Sequence, residues 1–148
     1  MNNEQPITKE YFIKRLIDLC LRSGLSGYPT DIVDQHILFK SAALSLDISG
    51  AVTEKEVNEK LKNWIINISR IKNIDHGTLR RRLVDAGYLT RTKDGSSYQV
   101  TPSRTRSPFF DESIEQVNVM EIIQTGREEI ARRKREYLEK SNGQAPNK

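Results

Sequence analysis

The chain has 148 residues, enough for one domain with a sizeable core plus extra helices and too few for two independent domains. It contains no apolar run of membrane-spanning length and no secretory signal, and its single Cys20 excludes a disulfide framework. The net charge of +4 is modest but unevenly distributed. We therefore predict a cytoplasmic protein with no membrane partner.

Two helices are predicted before residue 50. The first follows Thr8, a predicted N-cap, and carries apolar residues at helical spacing until Gly24 ends it. The second begins after Thr30 and fades at LDISG, and a loop at SGYP separates the two. A short extended piece is expected at GAV.

The third helix has the clearest start in the sequence. Thr53 and Glu56 have the spacing of a capping box, in which each side chain bonds the backbone N–H of the other residue. Val57, Leu61 and Trp64 then share one face of the helix. This pattern predicts that Trp64 belongs to the core.

A fourth helix carries three consecutive arginines. Asp75 is its predicted N-cap, and Gly87 is the predicted left-handed residue that ends it. The connection NISRIKNI before it is longer than the turn of roughly 3 to 4 residues that joins the helices of a DNA-reading helix-turn-helix. The geometry of this helix pair is therefore expected to differ.

Period-two order after the fourth helix predicts a β-hairpin. With Asp94 and Gly95 as a two-residue turn, Leu89 faces Val100, and this pair anchors the hairpin on the core.

The tip of the hairpin is expected to be basic and aromatic. Arg91, Lys93 and Tyr98 extend outward in this interpretation, with Tyr98 close enough to Arg91 for a cation–π pair. Such a tip is typical of a wing.

The C-terminal part begins with TPSRTRSPFF, which has two prolines and no periodicity and is predicted to be a linker or a crossing arm. Ser113 and Gln116 have the spacing that opens a last helix of about 25 to 30 residues. Ile123, Ile130 and Tyr137 recur at seven-residue spacing. So narrow an apolar stripe should be buried against the N-terminal helix or a second subunit, and we predict a homodimer.

Together these elements predict a mainly α fold with a small β-hairpin, arranged as a winged helix-turn-helix with additional N- and C-terminal helices. We assign residues 1–106 to a winged-helix-like domain that includes the N-terminal helix. Residues 107–140 form a C-terminal helical arm that dimerises, and residues 141–148 form a disordered tail in this division.

Two stretches of the sequence resemble a known family. VTEKEVNEKL and DHGTLRRRLVDAGYLTRTKDGSSY resemble the bacterial family called domain of unknown function 2087, with its Thr-Glu-x-Glu-Val-Asn start and its Asp-His-x-Thr-Leu-Arg-Arg-x-Leu-Val-Asp-x-Gly run. The resemblance covers about residues 50–100, a third of the chain. It implies a winged-helix-like fold and a link to transcription regulators, because members also occur fused to helix-turn-helix domains. It implies neither an enzymatic activity nor an established ligand.

The positive charge is concentrated in residues 69–106, which contain nine Lys/Arg and three Asp/Glu for a net charge of +6. The segments before and after this stretch each carry a net charge of −1. A local excess of this kind is typical of a phosphate-facing surface, and it also suits an acidic protein partner.

The three arginines differ in position around the helix, at about 100° per residue. Arg80 lies inside the apolar arc, so we predict a structural role in which its guanidinium reaches a carboxylate or backbone carbonyls. Arg81 and Arg82 face outward, but Asp85 lies between them at helical spacing. Both a groove-reading face and a solvated, salt-bridged face remain open for this pair.

The predicted nucleic-acid contacts combine the exposed helix face, the wing and the arm. They are Arg81, Arg82, Arg91, Lys93, Arg104 and Arg106, with Arg82 expected nearest to the bases. The predicted structural residues are Arg80, Asp85, Gly87, Thr53, Glu56 and Trp64.

The residue types that carry catalysis are sparse. His36 and His76 are the only histidines, and their spacing to Asp31 or Asp34 matches no metal motif, so no metal or other cofactor is predicted. The sequence has no phosphate-cradling glycine loop and no nucleophile elbow, which favours a non-enzymatic protein.

Two functional hypotheses remain. The first is a DNA-binding transcription regulator of winged-helix type that contacts the phosphates of double-stranded DNA through the wing and the basic arm. The alternative is a non-enzymatic protein-interaction module that docks on a protein partner through the winged-helix surface or the C-terminal helix.

Overall fold

The computed structural model describes residues 5–101 and 104–143 of the chain. Within these residues the fold is mainly helical and contains one small antiparallel sheet. The helices are α1 Lys9–Ile17, α2 Ile32–Leu46, α3 Glu54–Trp64, α4 His76–Asp85 and α5 Val119–Gly143. The strands are β1 Val52–Thr53, β2 Leu89–Arg91 and β3 Ser97–Val100.

Local side-chain bonds explain where the helices begin. The Thr8 hydroxyl accepts the Tyr11 N–H at 3.1 Å at the start of α1. Thr53 and Glu56 form both bonds of the predicted capping box at the start of α3. Asp75 accepts the Thr78 N–H at 2.8 Å at the start of α4.

The second helix begins after Thr30 as predicted, and its cap is Asp31, whose carboxylate accepts the N–H of Asp34 at 3.0 Å. The predicted start of the last helix is wrong. The last helix opens after Asn118 rather than at Ser113, since the Asn118 side chain accepts the Glu121 N–H at 2.9 Å. Ser113 lies in a separate 3₁₀ helix, Glu112–Gln116.

Two helices continue as π-helical turns, a less common geometry than the α-helix. Asp18–Arg22 extends α1, and Ile65–Ser69 extends α3. The letters NIS of the predicted irregular connection therefore belong to a helix. Only residues 70–75 separate this turn from α4, and Arg70 within them has a φ of 55°.

The sheet has the strand order β1-β3-β2, so the hairpin gains a third strand from the piece predicted at GAV. Leu89 pairs with Val100 as predicted. The turn differs from the predicted two-residue turn: the Gly95 N–H donates to the Thr92 carbonyl at 2.9 Å, and of Asp94 and Gly95 only Gly95 has a positive φ.

The predicted outward direction of Tyr98 is wrong. Residues two apart on a strand share a face, so Tyr98 lies on the same face as Val100, toward the core. It is 2% exposed, and its hydroxyl donates to Glu54 at 3.4 Å. The cation on its ring is Arg80, at 5.8 Å, rather than the predicted Arg91.

One hydrophobic core joins all five helices and the sheet. Trp64 is fully buried, and its indole N–H donates to the Ser41 hydroxyl at 3.0 Å. Arg15 of α1 forms a two-pronged ion pair with the buried carboxylate of Asp34 on α2, at 2.8 and 2.9 Å. The N-terminal helix is thus part of the core rather than an appended arm.

The helix α5 is packed over only part of its length. Ile123 is fully buried and Ile130 partly buried, whereas Tyr137 and Leu138 are 71% and 51% exposed. All side chains of residues 131–141 are exposed. The predicted disordered tail begins within this helix at residue 141, and its residues 144–148 lie outside the described residues.

No helix in the described part of the chain is both long enough and apolar enough to cross a membrane.

Candidate nucleic-acid interface

The exposed face of α4 carries two of the predicted contact residues. Leu79 and Leu83 bury the opposite face, which leaves Arg81 and Arg82 in solvent. Asp85 is also exposed, yet no ion pair joins it to either arginine in the described chain. The salt-bridged arrangement of this face is therefore not formed.

Arg82 is held in place by an aromatic ring. Its guanidinium carbon lies 4.5 Å from the centre of the Tyr28 ring, in the loop between α1 and α2. This loop is bonded to the segment before α4, because the Asn73 side chain donates to the Ser26 carbonyl at 3.1 Å. Burial raises the pKa of Tyr28 to about 12, and the nearby charge of Arg82 opposes that increase. The cation–π contact thus favours an orientation of the exposed Arg82 side chain over the Tyr28 ring.

Arg80 lies between α3, α4 and the sheet. Its guanidinium donates to the Asn58 side-chain carbonyl, lies 3.9 Å from the Glu54 carboxylate and covers the Tyr98 ring. The side chain is partly buried. Every one of these contacts is internal, in keeping with the structural role predicted for it.

The wing presents Arg91 and Lys93 to solvent. Its turn is stabilised by Asp94, whose carboxylate accepts the Ser96 N–H at 3.0 Å and the Thr92 hydroxyl at 2.7 Å. The bond from the Ser96 backbone is the main cause that lowers the pKa of Asp94 to about 2. The one acidic group at this tip is therefore engaged in holding the turn.

Arg104 of the arm is bonded to the protein backbone. Its guanidinium donates to the Ala86 carbonyl at 2.7 Å, the Arg106 carbonyl at 2.6 Å, the Pro108 carbonyl at 2.9 Å and the Ser107 carbonyl at 3.3 Å. It also stacks 4.8 Å from the Tyr88 ring centre. Arg104 therefore bonds a carbonyl at the C-terminal end of α4 and three carbonyls of the arm. Few of its N–H groups remain available for a phosphate.

Arg106 is exposed and only partly engaged. One guanidinium nitrogen donates to the Asp85 carbonyl at 2.9 Å. Gly87 makes this approach possible, because a Cβ atom there would lie 2.8 Å from that nitrogen. Gly87 also has a φ of 87°, as predicted for the residue that ends α4, so glycine serves two purposes at this position.

The two histidines do not form a metal site. Nδ1 of His36 is hydrogen-bonded to the Tyr88 hydroxyl at 2.8 Å, and the Asp34 carboxylate is paired with Arg15. Burial, assisted by the charges of Arg104 and Arg106, lowers the pKa of His36 to about 4. Among the described residues, no three His, Cys, Asp or Glu side chains are grouped to hold a metal ion.

Several residues that shape this surface carry no sequence signal for their role. Tyr28 under Arg82 and Tyr88 under Arg104 are single aromatic residues in loop or turn positions. Thr101 has a buried hydroxyl with no hydrogen-bond partner. The sequence offers one hint, which is the excess of nine Lys/Arg over three Asp/Glu in residues 69–106.

A family model described as "Uncharacterized protein conserved in bacteria (DUF2087)" matches residues 24–100. The match includes the Tyr28 loop, α2 and the whole hairpin, and so extends the resemblance upstream of residue 50. No curated protein and no solved structure matches the chain. Because the matched residues make up more than half of the sequence, the chain belongs to the DUF2087 family.

Proposed function

We propose that the protein is a winged-helix, DNA-binding regulator without enzymatic activity that acts in the cytoplasm. The order α2, β1, α3, α4, β2, β3 and the sheet order β1-β3-β2 support a winged-helix arrangement, with α4 as the recognition helix and β2–β3 as the wing.

One observation carries this proposal. None of the six predicted contact residues, which are Arg81, Arg82, Arg91, Lys93, Arg104 and Arg106, forms an ion pair with a carboxylate in the described chain. Arginines elsewhere do form such pairs, including Arg15 with Asp34 and Arg132 with Glu129. An unpaired cationic surface attracts a polyanion, and duplex DNA is a polyanion with one negative charge per roughly 1.7 Å of its axis.

The proposed contacts differ in role. Arg81, Arg91, Lys93 and Arg106 reach phosphates, while Arg82, fixed on the Tyr28 ring, approaches the bases. Arg104 is assigned a supporting role, because its hydrogen-bond donors are occupied by backbone carbonyls.

Fluorescence anisotropy with labelled duplex DNA tests the proposal. Four phosphate contacts predict a drop in affinity of about 100-fold between about 50 mM and 200 mM salt. Arg91→Gln should reduce the salt slope by about one unit for every duplex sequence, whereas Arg82→Gln should also reduce the preference among sequences. Arg135→Gln, at an exposed arginine of α5 without an ion pair, is the matched control and should bind like wild type. Absence of salt-sensitive binding to any duplex would overturn the proposal.

We also propose that the protein is a homodimer through the exposed half of α5. A helix segment with no neighbour is only marginally stable in water, and Tyr137 and Leu138 continue the apolar stripe that begins at the buried Ile123. A second copy of the same stripe would cover both residues. Sedimentation equilibrium should give a dimer for wild type and a monomer for the Tyr137→Gln/Leu138→Gln double variant. A wild-type monomer at about 100 µM, a concentration at which even weak dimers associate, would contradict this proposal.

The alternative proposal is a module that docks on an acidic protein. The same unpaired cations favour it, since carboxylate-rich surfaces are also polyanions. Affinity capture after nuclease treatment discriminates the two proposals. A stoichiometric acidic partner that is lost in Arg91→Gln and retained in Arg135→Gln supports docking, whereas recovery that depends on intact nucleic acid supports DNA binding.

A further inference from the structure

A cleft of about 430 Å³ lies between the wing and the arm. Its polar lining consists of Thr90, Arg91, Thr101, Arg104, Thr105 and Arg106. Val84 and Leu89 supply apolar lining, and none of the described residues that line the cleft is acidic. Three arginine and three threonine residues thus line a space large enough for a small organic anion.

The positive charge in this cleft is not compensated by the protein. Arg104 is partly buried, and all its hydrogen-bond partners are neutral backbone carbonyls. Arg106 has one such carbonyl partner, and the Arg91 side chain forms no hydrogen bond or ion pair in the described chain. Glu115, which lines a neighbouring pocket together with Arg104, is paired with Lys40 at 2.5 Å. Charges held in a partly buried position without a counter-charge favour the entry of an anion.

We propose that the cleft between the wing and the arm binds a phosphate group. Arg106 and Arg91 donate to its oxygens, and Arg104 contributes its positive charge while its N–H groups stay bonded to backbone carbonyls. A phosphate fits this set because it accepts several charge-assisted hydrogen bonds in the planar geometry of a guanidinium. The phosphate belongs either to a free ester or to the DNA backbone. The first source goes beyond the proposed function, and the second rests on it.

The test is a titration of the full-length chain with inorganic phosphate, against potassium chloride at equal ionic strength, followed through the amide signals of Thr101 and Thr105 by NMR. We expect saturable shifts with a Kd on the order of 1 mM. Arg106→Gln and Arg91→Gln should each weaken binding at least about tenfold, which corresponds to the loss of one charge-assisted hydrogen bond. Arg135→Gln removes the same charge outside the cleft and should leave the Kd unchanged.

A competition experiment identifies the source of the phosphate. If duplex DNA displaces inorganic phosphate from the wild-type chain, the DNA backbone occupies the cleft. If both bind together, the cleft takes a free phosphate ester. Either result supports the site. Shifts that do not saturate, or an equal loss in Arg135→Gln, overturn it.

The outcomes for the cleft and for DNA binding are separable. Saturable phosphate binding without any salt-sensitive DNA binding keeps the cleft and removes the proposed function. DNA binding without phosphate binding supports the proposed function and overturns the phosphate site. Circular dichroism melting of each variant shows that it is folded, and Arg91→Gln, at an exposed position, provides the readout if Arg106→Gln is unstable.

Discussion

Replacing Arg104 with alanine should destabilise the fold far more than replacing any other predicted contact residue. The substitution removes four hydrogen bonds to carbonyls, at 2.6 to 3.3 Å, and the stacking on Tyr88. A hydrogen bond with a charged donor contributes about 1.5–3 kcal/mol, but carbonyls near the surface recover part of this from water. We therefore expect a loss of about 2–4 kcal/mol, or roughly 5–12 °C in Tm for a chain of this size.

Urea unfolding followed by Trp64 fluorescence measures this effect, because the indole is fully buried in the folded protein. Arg91→Ala is the control and should change stability by less than about 0.5 kcal/mol, since the side chain is exposed. Arg104→Lys keeps the charge but not the planar fork, so it should recover less than half of the loss. A loss below about 1 kcal/mol in Arg104→Ala, or full recovery in Arg104→Lys, would refute the bonding role assigned to this guanidinium.

Three further predictions concern buried polar groups. The pKa of His36 is about 4 in the folded chain, below its ordinary value, so the unfolded state binds a proton first as the pH falls. The free energy of unfolding should therefore be highest above about pH 6.5, decrease between pH 6.5 and 4 by at most about 3 kcal/mol, and level off below. His36→Asn should abolish this decrease when the free energy of unfolding is measured by urea titration at each pH. An unchanged decrease would contradict the assignment to His36. Tyr28→Phe removes a buried hydroxyl with no hydrogen-bond partner, so the free energy of unfolding should stay equal or rise by about 0.5–1 kcal/mol. A clear loss of stability in thermal melts would show that the hydroxyl is bonded. Ser41→Ala leaves the buried indole N–H of Trp64 unpaired and should lower the free energy of unfolding by about 1–3 kcal/mol. Ser45→Ala on the same helix is the control and should have a negligible effect. Equal losses in the two variants would argue against the hydrogen bond between Trp64 and Ser41.

The caps and the strand register were predictable because they depend on neighbours in sequence. Thr53 and Glu56 are three residues apart, and Asp75 and Thr78 have the same separation, so each cap is decided locally. The register of Leu89 opposite Val100 follows from a short turn between alternating strands. Features of this kind can be predicted without information about the rest of the fold.

The errors arise where distant parts of the chain decide. Tyr98 was placed outside because its partners, β1 and Glu54, are more than 40 residues away. Arg104 was taken for a free cation because only the folded arm brings the carbonyls of Ala86 and Pro108 around it. The start of the last helix was misplaced for a local reason, because the capping-box spacing of Ser113 and Gln116 competes with the Asn118 cap.

Thr53 belongs to two elements at once. It is the last residue of β1, paired with Ser97, and it is also the residue whose hydroxyl caps α3. Loss of the strand pairing and the cap at Thr53 would open the root of the hairpin and the first turn of α3 together. The amide protons of these two elements should therefore exchange as one cooperative unit. The turn beyond Thr92 has no such tie to a helix. The protein therefore combines a hairpin root that is tied to a helix with a tip that is held only by bonds among its own residues, Thr92, Asp94 and Ser96.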